Sequence, residues 1–370
     1  MSFSFDYTTR AKKFALRYPL LTDIGLQIIF WIIAFLLYFT LVNFIAKAVS
    51  SLFDTNTIVH ISENILIALI GAVVFGILLG MIDFYVERRL RRRSFGLELL
   101  VKFSLYVITW FAVGVLTRNI GVALEAKFIE GTPLEYGQMF FRNMGTASSI
   151  YAVAMIMVIS FIKQMNTKFG PGIILPMILG RYRHPREEER IFLFMDLKSS
   201  TSYAEKLGHL KYSEMIQNCF QDLNQVIPKY YAEIYQYVGD EVVITWLKSE
   251  GLDSLNCIRF FFAFQNKLKS GKLDYKEKYG LIPEFKAGLH LGEITVAEVG
   301  EIKREIAYHG DTINTAARIQ KLCNPYNKKF LISEALKEHI ASNHSFNLEF
   351  VDETVLEGKS QKVKIYSISE

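Results

Sequence analysis

The 370-residue chain has only three cysteines and eight prolines. Cys219, Cys257 and Cys323 are odd in number, lie far apart and form no C-x-x-C pair, so they suggest no disulfide framework. We expect them to be reduced thiols in the core of a cytosolic domain. Charge is locally scarce as well, because four long windows contain no Asp, Glu, Lys or Arg.

These charge-free windows predict membrane-spanning helices. In the whole chain 51% of residues are hydrophobic, and the mean hydropathy of +0.21 is too high for one ordinary soluble fold. About 20 apolar residues cross a bilayer. The first, second and fourth windows satisfy this directly, and the third does so if Lys102 snorkels to the interface and the span extends to Leu99. The first window begins too late and is too long for a cleaved signal peptide. The windows are Ile24–Ala46, Asn64–Ile82, Phe103–Thr117 and Asn143–Ile162.

Basic residues predict the orientation of the spans. Four of them lie at 10–17, before the first span, and five arginines lie at 88–93, between the second and third spans. The other two loops carry few. We therefore expect an integral protein of the plasma or inner membrane, embedded in the lipid bilayer, with both termini in the cytoplasm. The arginine run abuts a span, so no nucleic-acid partner is expected.

A change of composition near residue 166 divides the chain. Residues 1–165 are expected to form a four-helix transmembrane domain. The segment 166–189 holds three of the eight prolines and ends in a charge run, which is typical of a membrane-proximal connector and linker. Residues 190–370 are then the cytosolic domain.

The pattern after residue 190 favours a mixed fold. Apolar Ile191–Met195 predicts a buried strand, and Gly239–Asp240 between two strand-like runs predicts a hairpin turn. The order strand–helix–strand–strand–helix–strand is typical of a ferredoxin-like βαββαβ core. The predicted fold is thus an α-helical membrane domain plus an α+β cytosolic domain. We expect strands at 190–196, 232–238, 241–247 and 304–309, a second hairpin within 284–300, and helices at 200–228, 252–269 and 312–323.

Two acidic residues stand where strands end. Asp196 follows Ile191–Met195. Asp240 lies at the tip of a predicted hairpin that could lie beside this strand in the sheet. Two carboxylates so placed can hold a pair of divalent cations against a polyphosphate, and the backbone N–H groups of a helix that begins near Ser200 suit a phosphate. Each residue also has a simpler explanation when taken singly. Asp240 could be an ordinary turn residue, and Ser199–Thr201 could cap the helix. Asp196 could pair with a neighbouring lysine.

Three further polar residues are candidates for substrate contacts. Asn314 and Arg318 are four residues apart on a predicted helix, so they share one face. An amide and a guanidinium placed together can hydrogen-bond a ribose oxygen and a phosphoryl group, although the pair also fits a solvated helix face. Lys286 lies in the apolar run FKAGLHL, where a charged residue suggests a substrate contact. The alternative is that the strand is at the edge of the sheet, so that the lysine is exposed to water.

Four motifs carry a family resemblance. FLFMDLKSST, YVGDEVVITW, FKAGLHLGEITVAEVG and YHGDTINTAARIQ occur in this order, and together they resemble the class III nucleotidyl cyclase catalytic domain. The resemblance covers about residues 188–368 and leaves out the N-terminal half. It implies that residues 190–370 are a catalytic domain.

The resemblance also implies the roles of several residues. Asp196 and Asp240 match the two metal-binding aspartates, with the Leu197 carbonyl as a further possible ligand for two Mg²⁺ or Mn²⁺ ions per site. Members work as head-to-tail dimers, so a homodimer would share each site between two chains. The substrate side of each site would come from the other chain. It comprises Lys286 as the adenine reader, Asn314 on the ribose and Arg318 on the transferring phosphate.

Some positions depart from the family pattern or match it loosely. The second purine-reading position holds Ala307, where the family usually has Asp, Thr or Ser. Glu357 occupies the place of a triphosphate-binding lysine, so Lys359 is the possible substitute. The residues that follow the first aspartate are candidate phosphate contacts, namely Lys198, Ser199, Ser200 and Thr201.

The resemblance implies an adenylate cyclase that converts ATP to 3′,5′-cyclic AMP and pyrophosphate. Guanylate cyclase activity is the nearest alternative, and Lys286 argues against it, since guanylate cyclases usually keep a glutamate there. Two other classes stay open: a catalytically silent signalling module, and a transporter or channel with a regulatory nucleotide-binding domain. The absence of ionisable residues near the middle of the predicted spans disfavours the transporter.

Overall fold

The computed structural model describes residues 14–15, 18–53, 61–90, 93–128, 134–169, 180–302, 304–340, 346–358 and 362–370. The chain divides into two compact units, Met1–Ile174 and Leu175–Glu370. Residues 170–179, at the junction, lie outside the described residues. The domain boundaries predicted at 165 and 190 stay predictions.

The N-terminal unit consists of long helices. Each of them contains a stretch of 19 to 27 residues that is long and apolar enough to cross a membrane, as the charge-free windows predict. Trp31 stacks on Phe75 and Trp110 at centroid distances of 5.4 and 6.0 Å, which forms the centre of this unit's core. The helices are α1 Pro19–Phe53, α2 Ile61–Leu90, α3 Phe95–Phe128 and α4 Leu134–Phe169.

Charged side chains join the four helices where the apolar windows end. Lys163 of α4 pairs with Asp23 of α1 at 3.0 Å and also with Asp83 of α2. Asp83 is only 1% exposed and accepts hydrogen bonds from Gln27 Nε2, at 2.7 Å, and from the Tyr106 hydroxyl of α3. We call these five residues the charge clamp. Each charged side chain of the clamp has a partner, so these charges can be buried within an apolar bundle.

The C-terminal unit is an eight-stranded sheet with helices on both faces. The strand order is β2-β3-β1-β4-β6-β8-β7, and β5 pairs with β4. β1 lies between β3 and β4 and is antiparallel to both, which is the predicted ferredoxin-like arrangement. The strands are β1 Arg186–Leu197, β2 Glu233–Val238, β3 Glu241–Leu247, β4 Phe285–Val299, β5 Glu305–His309, β6 Phe330–Ser333, β7 Asn347–Val355 and β8 Lys362–Ser369. The helices are α5 Ser200–Val226, α6 Lys248–Leu252, α7 Asn256–Ser270, α8 Lys272–Tyr279, α9 Asp311–Lys321 and α10 Glu334–Lys337.

Strand β1 is buried on both of its faces. Ile191, Leu193 and Met195 pack in the core formed with α5 and α7, whereas Phe192 and Phe194 pack in a cluster that includes α9. Alternate residues of a strand point to opposite faces, so five consecutive apolar residues fit a doubly covered strand. Asp196 shares the parity of Phe194, which places it on the α9 face.

The hairpin predicted within 284–300 is wrong. These residues form the single strand β4, and the hairpin turn instead follows it, before β5. Gly292, near the middle of this stretch, pairs with Arg190 of β1. A Cβ at Gly292 would lie 2.6 Å from the Thr312 hydroxyl. The position therefore favours glycine because α9 packs closely on the strand.

Gly288 allows the same close packing and provides a test of it. A Cβ at this position would lie 2.2 Å from the Gln320 backbone nitrogen of α9. We expect Gly288→Ala to lower the free energy of unfolding of the C-terminal unit by about 1–3 kcal/mol, because overpacking must displace helix backbone. Calorimetry of the purified protein measures it. Gly292→Ala is the matched control and should cost less, because there the obstacle is a rotatable side chain; equal costs would contradict the helix-packing explanation.

The three cysteines are free and buried, as predicted. Burial raises the pKa of each thiol to about 12. Since the thiolate is the reactive form, these residues are core packing groups rather than nucleophiles.

Candidate active site

Asp196 and Asp240 lie at the same edge of the sheet. Met195 pairs with Val242, and it is the last residue of β1 that pairs with β3, so Asp196 follows directly after the end of this pairing. Asp240 lies in the turn between β2 and β3, where Gly239 has φ +64°, and the predicted hairpin turn is thereby confirmed. The two carboxylates therefore share one end of two neighbouring strands.

The environment of Asp240 is short of hydrogen-bond donors. Tyr212 of α5 has its pKa raised to about 12 by burial, by the Asp240 charge and by a hydrogen bond to that carboxylate. Even so, Asp240 Oδ2 is buried and has no hydrogen-bond partner within the described part of the chain. An unsatisfied buried carboxylate oxygen is costly, and a bound cation would satisfy it.

Glu241 adds a third carboxylate. It is half-buried, and its pKa is raised by burial and by the charges of Asp196 and Asp240. Two aspartates and a glutamate therefore crowd together at the end of β1 and β3, and their mutual repulsion is relieved by positive charge.

This donor set fits a hard divalent cation. Among the described residues no three His, Cys, Asp or Glu side chains are grouped so that together they could hold a metal ion. Mg²⁺ and Mn²⁺ accept a few carboxylates while phosphate oxygens and water complete the shell. Asp196 and Asp240, with Leu197 at the end of β1, would hold such ions through oxygen atoms.

Lys286 lies directly opposite Asp196 in the register of β1 and β4. Its Nζ is 3.1 Å from Asp196 Oδ2 and donates to Asn324 Oδ1 at 3.2 Å. Gln320 Nε2 of α9 donates to the same Asp196 oxygen at 3.3 Å. The lysine side chain is 12% exposed, and β4 lies between β1 and β6. Lys286 is therefore not on an edge strand, and that alternative is wrong. The alternative raised for Asp196, that a lysine pairs with it, is observed.

Asn314 and Arg318 lie one turn apart on α9, as predicted. Asn314 is exposed, and its Nδ2 donates to the Gly310 carbonyl at 3.4 Å. Arg318 Nη1 lies 3.8 Å from Asp311 Oδ1. Within the described ranges, no hydrogen bond or ion pair joins Asn314 or Arg318 to Asp196 or Asp240. One chain thus pairs Lys286 with Asp196 but makes no described polar contact between the two aspartates and Asn314 or Arg318.

The remaining candidates do not form one cluster among the described residues. Lys198 is exposed and 4.0 Å from Glu284. Ser199 precedes α5 with φ +60° and makes no side-chain cap hydrogen bond, and Ser200 and Thr201 begin the helix. Ala307, on β5, pairs with Ala297 of β4. Ala297 is eleven positions along β4 from Lys286, which pairs with Asp196, so the structure does not bring the two purine-reading candidates of one chain together. Lys359 lies outside the described residues; Gly358 before it packs against Arg318, where a Cβ would lie 3.2 Å from Nη2.

Four residues of this region are not predicted from the sequence: Tyr212, Glu241, Gln320 and Asn324. Gln320 carries the clearest signal, because it is a polar residue on the buried face of α9 beside Ile319 and Ala316. A buried amide needs a partner, and its partner is Asp196. Tyr212, Glu241 and Asn324 can be assigned to this region only from their contacts in the folded structure.

Glu241 provides a test of the crowded carboxylates by pH. A glutamate whose pKa is raised on folding stabilises the fold at low pH and loses that contribution as pH rises above the ordinary value near 4.5. We expect Glu241→Gln to raise the melting temperature of the metal-free protein at pH 7 and to leave it nearly unchanged at pH 4. The exposed Glu205→Gln should show no such pH dependence; a gain from Glu241→Gln that is equal at both pH values would contradict the assignment.

Comparison with known proteins agrees with this geometry. The model of the adenylate and guanylate cyclase catalytic domain matches residues 183–370, half of the chain. A Rhizobium meliloti (strain 1021) protein described as adenylate cyclase 2 is 32% identical over 292 residues, which cover 77% of each chain. That match is longer than the catalytic domain, so it extends into the N-terminal helices.

Two further likenesses cover less of the chain. An adenylate cyclase of Anabaena cylindrica is 24% identical over 180 residues, 48% of this chain and 36% of that protein. A solved bacterial light-regulated adenylyl cyclase is similar in fold, with a TM-score of 0.50 at 18% identity over 59% of this chain and 64% of that one. The chain belongs to the family of adenylate and guanylate cyclase catalytic domains; in it, four apolar helices precede a class III cyclase domain.

Proposed function

We propose that this protein converts ATP to 3′,5′-cyclic AMP and pyrophosphate at sites shared between two copies of the chain. The observation that carries the proposal is the pair of aspartates at the end of β1 and β3, one with a buried oxygen that has no partner in the described structure. The relatives described as adenylate cyclases support ATP as the substrate.

Each residue has a role in this reaction. Asp196 and Asp240, with the Leu197 carbonyl, would hold two Mg²⁺ or Mn²⁺ ions. When bound, these ions would lower the pKa of the ribose 3′-hydroxyl and neutralise charge on the triphosphate. Asn314 orients the ribose so that the 3′-oxygen is in line with the α-phosphorus. Arg318 donates hydrogen bonds to the α-phosphoryl oxygens, where negative charge grows as pyrophosphate leaves. No protein nucleophile is required.

Lys286 selects the base. A lysine ammonium only donates hydrogen bonds, so it complements the N1 acceptor of adenine, whereas guanine carries an N1–H there. Ala307, at the second purine-reading position, has no side-chain hydrogen-bonding group. Selectivity for adenine therefore rests on Lys286. Lys198, Ser199, Ser200, Thr201 and Lys359 are proposed phosphate contacts.

The site requires two chains. Asn314 and Arg318 make no described polar contact with Asp196 or Asp240 in one chain, and the family resemblance implies that they act on the partner's metal site. A homodimer with a two-fold axis contains two equivalent sites.

The N-terminal helices are proposed to span the membrane, with the termini and the catalytic domain in the cytoplasm. Large apolar side chains such as Ile29, Leu37 and Phe44 are exposed on α1, which suits lipid contact. The excess of basic residues at 10–17 and 88–93 supports this orientation.

Product analysis tests the function. Purified full-length protein is incubated with ATP or GTP and with Mg²⁺ or Mn²⁺, and products are separated by chromatography. We expect cyclic AMP from ATP and much less cyclic GMP from GTP. Predominant cyclic GMP would make the protein a guanylate cyclase, and no cyclic product with either nucleotide would favour the silent signalling module.

A further inference from the structure

A buried arginine lies on the same face of β1 as Asp196, six residues earlier in the strand. Arg190, Phe192, Phe194 and Asp196 share one parity and therefore the α9 face. Six residues of strand correspond to about 20 Å, so Arg190 is not a neighbour of the aspartates of its own chain. It is only 4% exposed, and a charge so deeply buried needs an explanation.

Arg190 connects two strands that lie beyond the immediate neighbours of β1. Its Nη1 donates to Glu233 Oε2 of β2 and to the Tyr308 hydroxyl of β5, each at 3.1 Å, and its Nη2 also donates to Glu233. In the sheet β1 lies between β3 and β4. The rings of Tyr308 and Tyr235, of β2, are 4.8 Å apart at their centroids, so β2 and β5 meet on the face where Arg190 lies.

The contact of Arg190 with Tyr308 continues into the helix that carries the proposed substrate contacts. Tyr308 packs against the same cluster of buried residues as Ile313 and Ala317 of α9. Asn314 directly follows Ile313, and its Nδ2 donates to the carbonyl of Gly310, two residues after Tyr308. The tyrosine therefore supports both the strand that leads into α9 and the buried face of this helix.

Stability alone does not explain the arginine. A buried ion pair loses much of its Coulomb energy to desolvation, and hydrophobic side chains of similar volume often stabilise a fold equally well. A guanidinium differs from such side chains in holding several donors in fixed directions. In Arg190 these donors fix Glu233 of β2 and Tyr308 of β5 relative to β1.

We infer that Arg190 is a positioning residue for the substrate side of the site, and that it acts through Tyr308 on β5 and the start of α9. This inference rests on the proposed function, in which Asn314 orients the ribose. Without the guanidinium, β5 and the first turn of α9 can shift. A shift of about 1 Å in a group that aligns the substrate can cost about a hundredfold in rate.

Steady-state kinetics of the full-length protein with ATP test the contact. Tyr308→Phe removes one hydroxyl and keeps the ring. We expect it to lower kcat about threefold to tenfold and to change KM less than about twofold, because the lost hydrogen bond aligns the reacting groups but does not bind the nucleotide. Tyr275→Phe is the matched control, since its hydroxyl donates to Asp222 at 2.9 Å in the core on the other face of the sheet. The control should keep the wild-type kcat; equal losses in the two variants would refute the positioning role.

Mixed dimers distinguish positioning from damage to the whole chain. Arg190→Met is expected to be at least about tenfold less active than the wild type. Mixed equally with Asp196→Ala, it should recover about a quarter of wild-type activity after subunit exchange, because one site of each mixed dimer then has both sides intact. Mixed with Arg318→Ala, it should recover none, because both substitutions affect the substrate side.

The outcomes separate this inference from the proposed function. Wild-type activity of Arg190→Met, recovery with Arg318→Ala, or no recovery with Asp196→Ala would each overturn the positioning role. In all three cases the shared site stands if Asp196→Ala and Arg318→Ala restore each other. If these two do not, despite demonstrated exchange, the shared site is wrong and the inference fails with it. If Arg190→Met does not fold, the kinetics of Tyr308→Phe decide.

Discussion

Asp196→Ala and Arg318→Ala proteins are each expected to be at least about a hundredfold less active than the wild type, and an equal mixture of the two to recover about a quarter of wild-type activity. The reason is the shared site. After random exchange of subunits, half of the dimers are mixed, and one of the two sites in a mixed dimer combines an intact Asp196 with an intact Arg318. Cyclic nucleotide formation is measured before and after the variants are mixed under conditions that allow exchange.

The control is a mixture of Asp196→Ala with Asp240→Ala. Both substitutions affect the metal side of the site, so every mixed dimer has one defect in each site and no activity should return. Recovery in this control, or none in the first mixture despite demonstrated exchange, would contradict a site built from two chains.

Local sequence patterns were sufficient to predict the framework of the catalytic unit. Ile191–Met195 is a buried strand because both faces of β1 are covered, and Gly239–Asp240 is a turn. The stretch 284–300 is one strand rather than the predicted hairpin, and Gly292 within it lets α9 approach. A glycine that turns the chain and a glycine that admits a helix look alike in sequence. Only the approach of Thr312 distinguishes the two.

The ion pairs of the site and of the N-terminal helical bundle could not be predicted, for a common reason. Asp196 and Lys286 are 90 positions apart, and their contact depends on the register of β1 against β4. Similarly, Asp23, Asp83, Lys102 and Lys163 each stand next to a charge-free window, but which of them meet depends on the rotation of each helix. A carboxylate and a lysine can be recognised from sequence; the partner of each is a property of the packed structure.

Lys163→Met is expected to destabilise the helical unit by about 3–5 kcal/mol, because it leaves the Asp83 carboxylate buried without its cation. Asp83 is 1% exposed, and its other partners, Gln27 and Tyr106, are neutral donors that cannot balance its charge. Thermal unfolding of the detergent-solubilised protein, followed by the fluorescence of the core residues Trp31 and Trp110, measures the effect.

The control variants change Lys102, another lysine of the bundle, and Asp83. Lys102 pairs with Glu87 and Glu98 at 2.8 Å, but these carboxylates are 41% and 24% exposed, so Lys102→Met should cost only about 1 kcal/mol or less. Adding Asp83→Asn to Lys163→Met should recover much of the loss, since an amide needs no counter-ion. Equal losses from the two single lysine variants, or no recovery in the double variant, would show that the charge clamp does not stabilise the bundle through the buried ion pair.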